Sequence, residues 1–275
     1  MRRAACGVRR AGACAIAPLL AAVVVCGQAP ATRPVVLGIA RVTLYARDLP
    51  ASRRFYTGLL GYAEAPELDF AVNDRQSIVL VPEKEGGSDR LVSIAFYTEG
   101  DAFAVTDPDG HRLEFARRST AGRLPSADQI SRELRHAGVL VDRLDPALAF
   151  YETLGFREFW RGSRDGKELN WVNVRVANGD DYIEFMLYQE LPAPDKRGTQ
   201  HHVCLFVPDL DRAMGILQER AAKTGYTRAM QINVGTNRRR QLNLYDPDGT
   251  RIELMEPHTV DGTTPPSSTA PPPRW

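Results

Sequence analysis

Four residues in the second half of this 275-residue chain have the types and spacing of a metal centre: His136, Glu184, His202 and Glu253. His136 lies 48 positions before Glu184, and His202 lies 51 before Glu253. Each histidine opens an apolar alternating stretch. Each glutamate sits between apolar neighbours, in Tyr182-Ile183-Glu184-Phe185-Met186 and Arg251-Ile252-Glu253-Leu254-Met255. An unpaired carboxylate is costly to bury on such a strand, and a shared cation would remove that cost. Two imidazoles and two carboxylates suit one divalent ion of borderline softness, Zn, Ni, Mn or Fe, and the donor types do not choose among these. Taken singly, a histidine at a strand start is more often structural and a strand glutamate more often faces water. It is the matched pairs that carry the reading. His201 beside His202 points to the opposite face of its strand, so only one of the two can reach the site.

The elements that must position these residues are announced by an internal repeat, which decides the fold before residue detail does. Ala40–Tyr62 and Ala137–Phe156 both run apolar strand, Asp-containing turn, short helix with Phe-Tyr, then Leu-Gly-aromatic. In the second copy Asp145 is expected to cap the helix, with Pro146 in its first turn. A second shared segment closes each half: Asp107-Pro108-Asp109-Gly110 through Glu114, and Asp246-Pro247-Asp248-Gly249 through Glu253. Pro-Asp-Gly between extended runs reads as a hairpin turn. From Phe55 to Asp107 is 52 positions, but from Phe150 to Asp246 is 96, so the first half lacks 44 residues. The second half therefore holds two full units, about 132–190 and 199–257, the latter with a helix over about 209–223 ended near Gly225. The first half holds one full unit (38–86) and a shortened one (90–117). Aligning the repeats places His202 with His136 and Glu253 with Glu184, and selects His202 over His201.

The ends read differently. Arg2, Arg3, Arg9 and Arg10 precede an apolar run from Ala11 to Val25 and then Gly27-Gln28-Ala29. That is the pattern of a secretory signal over 1–30, and the run is shorter than the ~20 residues of a membrane span. An exported, periplasmic or secreted protein is expected. An uncleaved anchor and a lipoprotein cut before Cys26 are the alternatives, though Val25 is a poor residue before such a cysteine. Loss of the four arginines would take the net charge from +1 to −3. Neither value calls for nucleic acid or an anionic membrane as partner. Cys6, Cys14 and Cys26 fall in this segment, leaving Cys204 alone, so an internal disulfide or thiolate cluster is excluded from the remainder. Residues 118–131 read as a linker. Residues 258–275, ending in Pro-Pro-Ser-Ser-Thr-Ala-Pro-Pro-Pro-Arg-Trp, read as a disordered tail.

The pattern His-x-x-Leu-x-Val-x-Asp-Leu, Phe-Tyr-x-x-Leu-Gly-Phe and Asp-Pro-Asp-Gly-x-x-Ile-Glu-Leu resembles the vicinal oxygen chelate superfamily, which includes glyoxalase I, extradiol dioxygenases and bleomycin resistance proteins. The resemblance covers about 38–257 and is strongest over 134–257. It implies an α+β fold of paired βαβββ units, with a shortened, non-catalytic domain at 38–117 and a complete metal-binding domain at 132–257. In the first half Arg41 stands where His136 would, Ser77–Val81 has no acid where Glu184 would be, and Glu114 is left without partners. His111 reads as a turn residue.

Two enzyme readings follow. As in glyoxalase I, all four ligands would hold the metal, with Glu253 also acting as base in a lyase or isomerase that forms a metal-stabilised enediolate from two adjacent substrate oxygens. Leu140 and Tyr188 replace the Arg and Asn that hold glutathione in that family, which puts glutathione in doubt. Alternatively His136, His202 and Glu253 form the Fe(II) site of an extradiol, catechol-type dioxygenase, for which Glu184 is a surplus ligand and Asn243 replaces an expected Tyr. A third reading is a non-catalytic small-molecule-binding or resistance protein. Trp160, Arg161, Trp171, Tyr188 and the middle residue of Arg238-Arg239-Arg240 are weaker substrate-contact candidates. The arginines could anchor an anion or simply form a solvated loop. The sequence leaves homodimerisation open.

Overall fold

The computed structural model describes residues 33–83, 89–117, 124–188 and 191–273; the expected signal segment lies outside them, as does part of the linker. The first half runs β1 (Val36–Ala46), α1 (Leu49–Arg53) continuing into a π-helical turn over Arg54–Leu59, β2 (Glu64–Ala65), β3 (Asp69–Ala71), β4 (Ser77–Pro82), β5 (Leu91–Thr98), β6 (Phe103–Thr106) and β7 (Arg112–Ala116). The second runs β8 (Glu133–Val141), α2 (Leu144–Thr153), β9 (Arg157–Gly162), β10 (Trp171–Arg175), β11 (Tyr182–Leu187), β12 (His202–Phe206), α3 (Leu210–Thr224), β13 (Ile232–Val234), β14 (Arg239–Tyr245) and β15 (Arg251–Thr259). Three βαβββ units are complete, and the unit β5–β6–β7 lacks a helix and a strand.

Each half is one mixed sheet. The first has strand order β2-β3-β4-β1-β5-β7-β6 and the second β13-β14-β15-β12-β8-β11-β10-β9. Within every unit the first strand pairs in parallel with the last, and the two opening strands pair antiparallel at the centre. Among the described residues no helix is long and apolar enough to cross a membrane.

Helix entry follows local chemistry. Asp48 and Asp209 cap α1 and α3 by accepting from Ala51 N (2.9 Å) and Arg212 N (3.0 Å), which satisfies amides that a helix start leaves open. Gly225 ends α3 in the left-handed region at φ 74°. The expected Asp145 cap is not found. α2 starts at Leu144 with Arg143 in the cap position, so Asp145 lies in the first turn, where its charge faces the positive end of the helix.

The two Asp-Pro-Asp-Gly turns also join the halves. Asp107 Oδ1 accepts from the amides of Asp109 and His111, and Asp246 Oδ1 from those of Asp248 and Thr250. The second oxygen of each reaches across: Tyr151 OH donates to Asp107 Oδ2 and Tyr56 OH to Asp246 Oδ2, both at 3.1 Å. The Phe-Tyr of one half thus satisfies the turn aspartate of the other, and the two halves share one apolar core.

Two further expectations are corrected. Glu114 is not without partners: Arg41 Nη2 and Arg112 Nε each lie 2.9 Å from its carboxylate. A side-chain cation occupies the first half where the second half offers ligands. The tail is not disordered over its described part. Ser268 N donates to Arg161 O (2.9 Å) and Leu169 N to Pro271 O (2.9 Å), and Arg161 N donates to Ser267 Oγ (3.3 Å). Composition argues only that such a segment cannot build a core. An extended chain can still satisfy the unpaired backbone groups beside an edge strand, here β9.

The joint between β1 and β8 buries an acid. Asp181 Oδ2 accepts from Ile39 N (2.8 Å) and Gln76 Nε2 (3.1 Å), while Gln76 also bonds both N and O of Leu134. Burial pushes the Asp181 carboxyl up to about 6. A group whose folded pKa exceeds its unfolded one stabilises the fold when protonated, and that contribution is lost as pH rises from about 4 through about 6. Urea midpoints from pH 4 to 8 should therefore fall more steeply in the wild type than in Asp181→Asn. The difference accumulated by pH 8 should be about 3 kcal/mol, from a shift of roughly two units; parallel curves would refute the assignment.

Candidate metal centre

The register of the second sheet places the four ligand candidates in two adjacent rows on one face. His202 pairs opposite Gly138 and Cys204 opposite His136. Glu184 is level with Gly138 on the neighbouring strand, and Glu253 with Cys204. One row therefore reads Asn173, Glu184, Gly138, His202, Arg251, and the next Tyr182, His136, Cys204, Glu253, Asn243. Directly paired residues share a face, so all four ligand side chains emerge together.

The donor atoms meet. His136 Nε2 and His202 Nε2 are 3.0 Å apart. Glu253 Oε2 lies 3.5 Å from each of them, and Glu184 Oε2 lies 3.4 Å from His202 Nε2 and 3.9 Å from His136 Nε2. Nitrogen and oxygen ligands sit at about 2.0–2.2 Å from a zinc-like ion. Two such ligands are then separated by about 3.0 Å at a right angle and roughly 3.4 Å at a tetrahedral one. These separations and the mixed imidazole–carboxylate set fit one divalent cation. His201 is on the other face, its Nδ1 2.7 Å from Asp89 Oδ1. His111 is a turn residue whose Nδ1 lies 2.7 Å from Asp107 Oδ2.

Neighbours tune the four groups. Burial holds His136 below the ordinary histidine range, against the pull of Glu253 and Glu184, which keeps its lone pair free. Burial and Arg251 also press His202 downward, but Glu184 and Glu253 carry it above the usual range. Burial pushes Glu253 up, yet its contacts with His136, His202 and Arg251 hold it well below the usual carboxylate range. His202 Nδ1 lies 2.7 Å from Gln200 O and 2.6 Å from Arg251 Nη2. When Nε2 presents its lone pair to the cluster, Nδ1 donates to Gln200 O, a hydrogen bond that orients an imidazole ligand, and the Arg251 guanidinium beside it opposes protonation of the whole ring. His136 Nδ1 is buried without a partner.

Sequence reasoning missed Cys204 and Gly138. Cys204 Sγ belongs with His136 and Glu253 to a group of possible ligand atoms within 4.8 Å of one another. Burial, with the nearby carboxylates, pushes its thiol well above the usual range. Its position two residues after His202 was the available signal. Gly138 makes space: a Cβ there would lie 1.9–2.0 Å from the His202 ring.

Two cavities flank the ligands. The smaller, about 240 Å³, is lined by Glu184, Glu253, Arg251 and Trp171 among others. The larger, about 350 Å³, is lined by Arg239 and Tyr182, whose ring stacks on His136 at 4.4 Å. Trp160 and Asn237 line both. The structure thus brings Trp160, Trp171 and Arg239 beside the site. Tyr188 is one residue past β11 and is not among the residues lining either cavity, and Arg161 pairs with Glu158 instead.

Residues 133–254 match the family described as the Glyoxalase/Bleomycin resistance protein/Dioxygenase superfamily, in line with the resemblance of this half to vicinal oxygen chelate proteins. The fold of the whole chain resembles that of homoprotocatechuate 2,3-dioxygenase from Brevibacterium fuscum in its anaerobic complex with 3,4-dihydroxyphenylacetate. Identity there is 18%, TM-score 0.66, and 88% of each chain is covered. A room-temperature structure of an extradiol ring-cleaving dioxygenase from B. fuscum gives 18% identity and TM-score 0.64, over 89% of this chain and 78% of that one. Among curated protein sequences nothing matches the chain.

Gly138→Ala should displace the His202 ring and lower metal affinity by about 10–100-fold, the scale of lost ligand orientation. Competition with a chromogenic chelator reads this directly; unchanged affinity would mean that His202 is not a ligand.

Proposed function

We propose that the second half is a metal-dependent lyase or isomerase acting on a small molecule with two adjacent oxygens. The observation that carries this is Glu184: its Oε2 lies 3.4 Å from His202 Nε2, which makes it a fourth donor beside His136, His202 and Glu253. A bound divalent ion would act as Lewis acid and as a template for the two oxygens. The chain supplies the rest. Glu253 takes the proton-transfer role: it lines the smaller cavity, touches both imidazoles, and is ionised across neutral pH. A base must lie within hydrogen-bond reach of its proton, and a substrate in that cavity meets this condition. Trp160 and Trp171 give this otherwise polar cavity two aromatic walls against which a substrate can pack. Leu140 is buried and Tyr188 lies outside both cavities, so nothing at these positions favours glutathione.

A second reading is an Fe(II) extradiol dioxygenase, favoured by the fold likeness to the B. fuscum enzymes. There His136, His202 and Glu253 would suffice as a two-histidine, one-carboxylate set, and Glu184 would be free of the metal.

Glu184→Gln separates the two. The four-donor reading expects metal affinity to fall at least about tenfold, with loss of turnover on α-keto aldehydes or their thiol adducts. Elemental analysis beside that assay decides: iron retained undiminished in the variant, together with catechol ring opening, would replace the lyase reading with the dioxygenase one.

A further inference from the structure

The arginine triplet Arg238-Arg239-Arg240 is split by the fold. Arg238 pairs with Asp261 outside the cavity. Arg240 pairs with Asp211 at 2.7 Å and Glu256 at 3.2 Å. Arg239, between them on β14, makes no ion pair among the described residues and lines the larger cavity. Arg135 enters the same cavity from β8, and both guanidinium groups lie over the Phe206 ring, at 4.7 Å and 5.4 Å from its centre. Arg175 enters from β10, 5.5 Å from the centre of the Phe159 ring.

The opposing charge is small. Glu133 pairs with Arg135 and Asp180 lies 4.0 Å from Arg175 with both side chains largely exposed; only Asp180 of these two lines the cavity. Glu133 offsets Arg135 and Asp180 offsets Arg175, while Arg239 has no ion pair among the described residues, so the cavity keeps an excess of positive charge that suits an anion. Guanidinium forks match carboxylate and phosphate oxygens in pairs. The buried Trp160 Nε1 has no partner; its residue lines both this cavity and the one holding Glu184 and Glu253. Thr264 and Pro265 of the C-terminal segment form part of the far wall.

We propose that Arg135, Arg175 and Arg239 form an anion subsite for the distal end of the substrate. Resting on the metal-centre reading above, the substrate is then a small molecule with two adjacent oxygens at one end, an apolar or aromatic middle, and a carboxylate or phosphate at the other. Trp160 and Asn237 line both this cavity and the one holding Glu184 and Glu253, so the two ends of such a molecule would meet beside them.

The test uses the full chain, metal-free so that no carboxylate can bind through an ion. Ligand-observed NMR would compare phenylacetate with its neutral counterpart phenylacetamide. Phenylacetate should bind at least tenfold more tightly, and Arg239→Gln should erase the preference. Arg238→Gln, which removes the same charge one residue away, should keep it, and urea midpoints would show that both variants fold. Equal binding of the two probes, no binding of either, or a preference that survives in an Arg135→Gln, Arg239→Gln double variant would overturn the subsite. Metal titration of the same samples judges the metal centre separately, since phenylacetate binding in metal-free protein does not depend on it.

Discussion

The pairing of β8 with β12 is the constraint on which the site depends. His202 opposite Gly138 and Cys204 opposite His136 set both imidazoles on one face, diagonal to each other across the seam. A slip of one residue would turn either strand's histidine to the other face. The outer strands inherit this register, because β11 is fixed to β8 and β15 to β12 in parallel. Glu184 and Glu253 therefore arrive at the cluster without any loop having to aim them. Gly138 is what lets the two histidines close to 3.0 Å, since any side chain there would occupy the space of the His202 ring.

Both halves face the same electrostatic problem and differ in how they meet it. A carboxylate set among apolar neighbours on a strand needs a partner, whether buried as Glu253 is or half-buried as Glu114 is. In the first half Arg41, in the place of His136, brings its own charge to Glu114. In the second half the imidazoles of His136 and His202 stand beside Glu253 and Glu184 instead. The contrast supports proposing a metal centre in the second half, since a guanidinium already fills the corresponding place in the first.

The halves nevertheless depend on each other. Tyr56 and Tyr151 each donate across the boundary to the aspartate that shapes the opposite turn, and Gln76 and Asp181 tie β1 to β8. Phe96 and Phe156 meet edge to face at 5.1 Å in the shared core. The first half thus supports the sheet that carries the ligands. The C-terminal segment does the same from the other side, lying beside β9 and walling the larger cavity.

Local pattern in the sequence determined the units, their order and the four ligand candidates. Apolar alternation, the Asp-Pro-Asp-Gly turns and the doubled Phe-Tyr segment all act over a few residues and recur, so the βαβββ repeat and the 44-residue deficit could be read directly. The same holds for His202 over His201, because strand faces alternate. Only tertiary structure decided what depends on partners distant in the chain. Cys204 became a neighbour of Glu253 through a strand pairing 49 positions away. Arg239 was separated from Arg238 and Arg240 by the acids that each neighbour met. Glu114 found Arg41 73 positions earlier. The tail was ordered by an edge strand whose need for hydrogen bonds its own composition could not reveal. Pairing across a sheet is set by the summed fit of whole strands, and no single residue announces it.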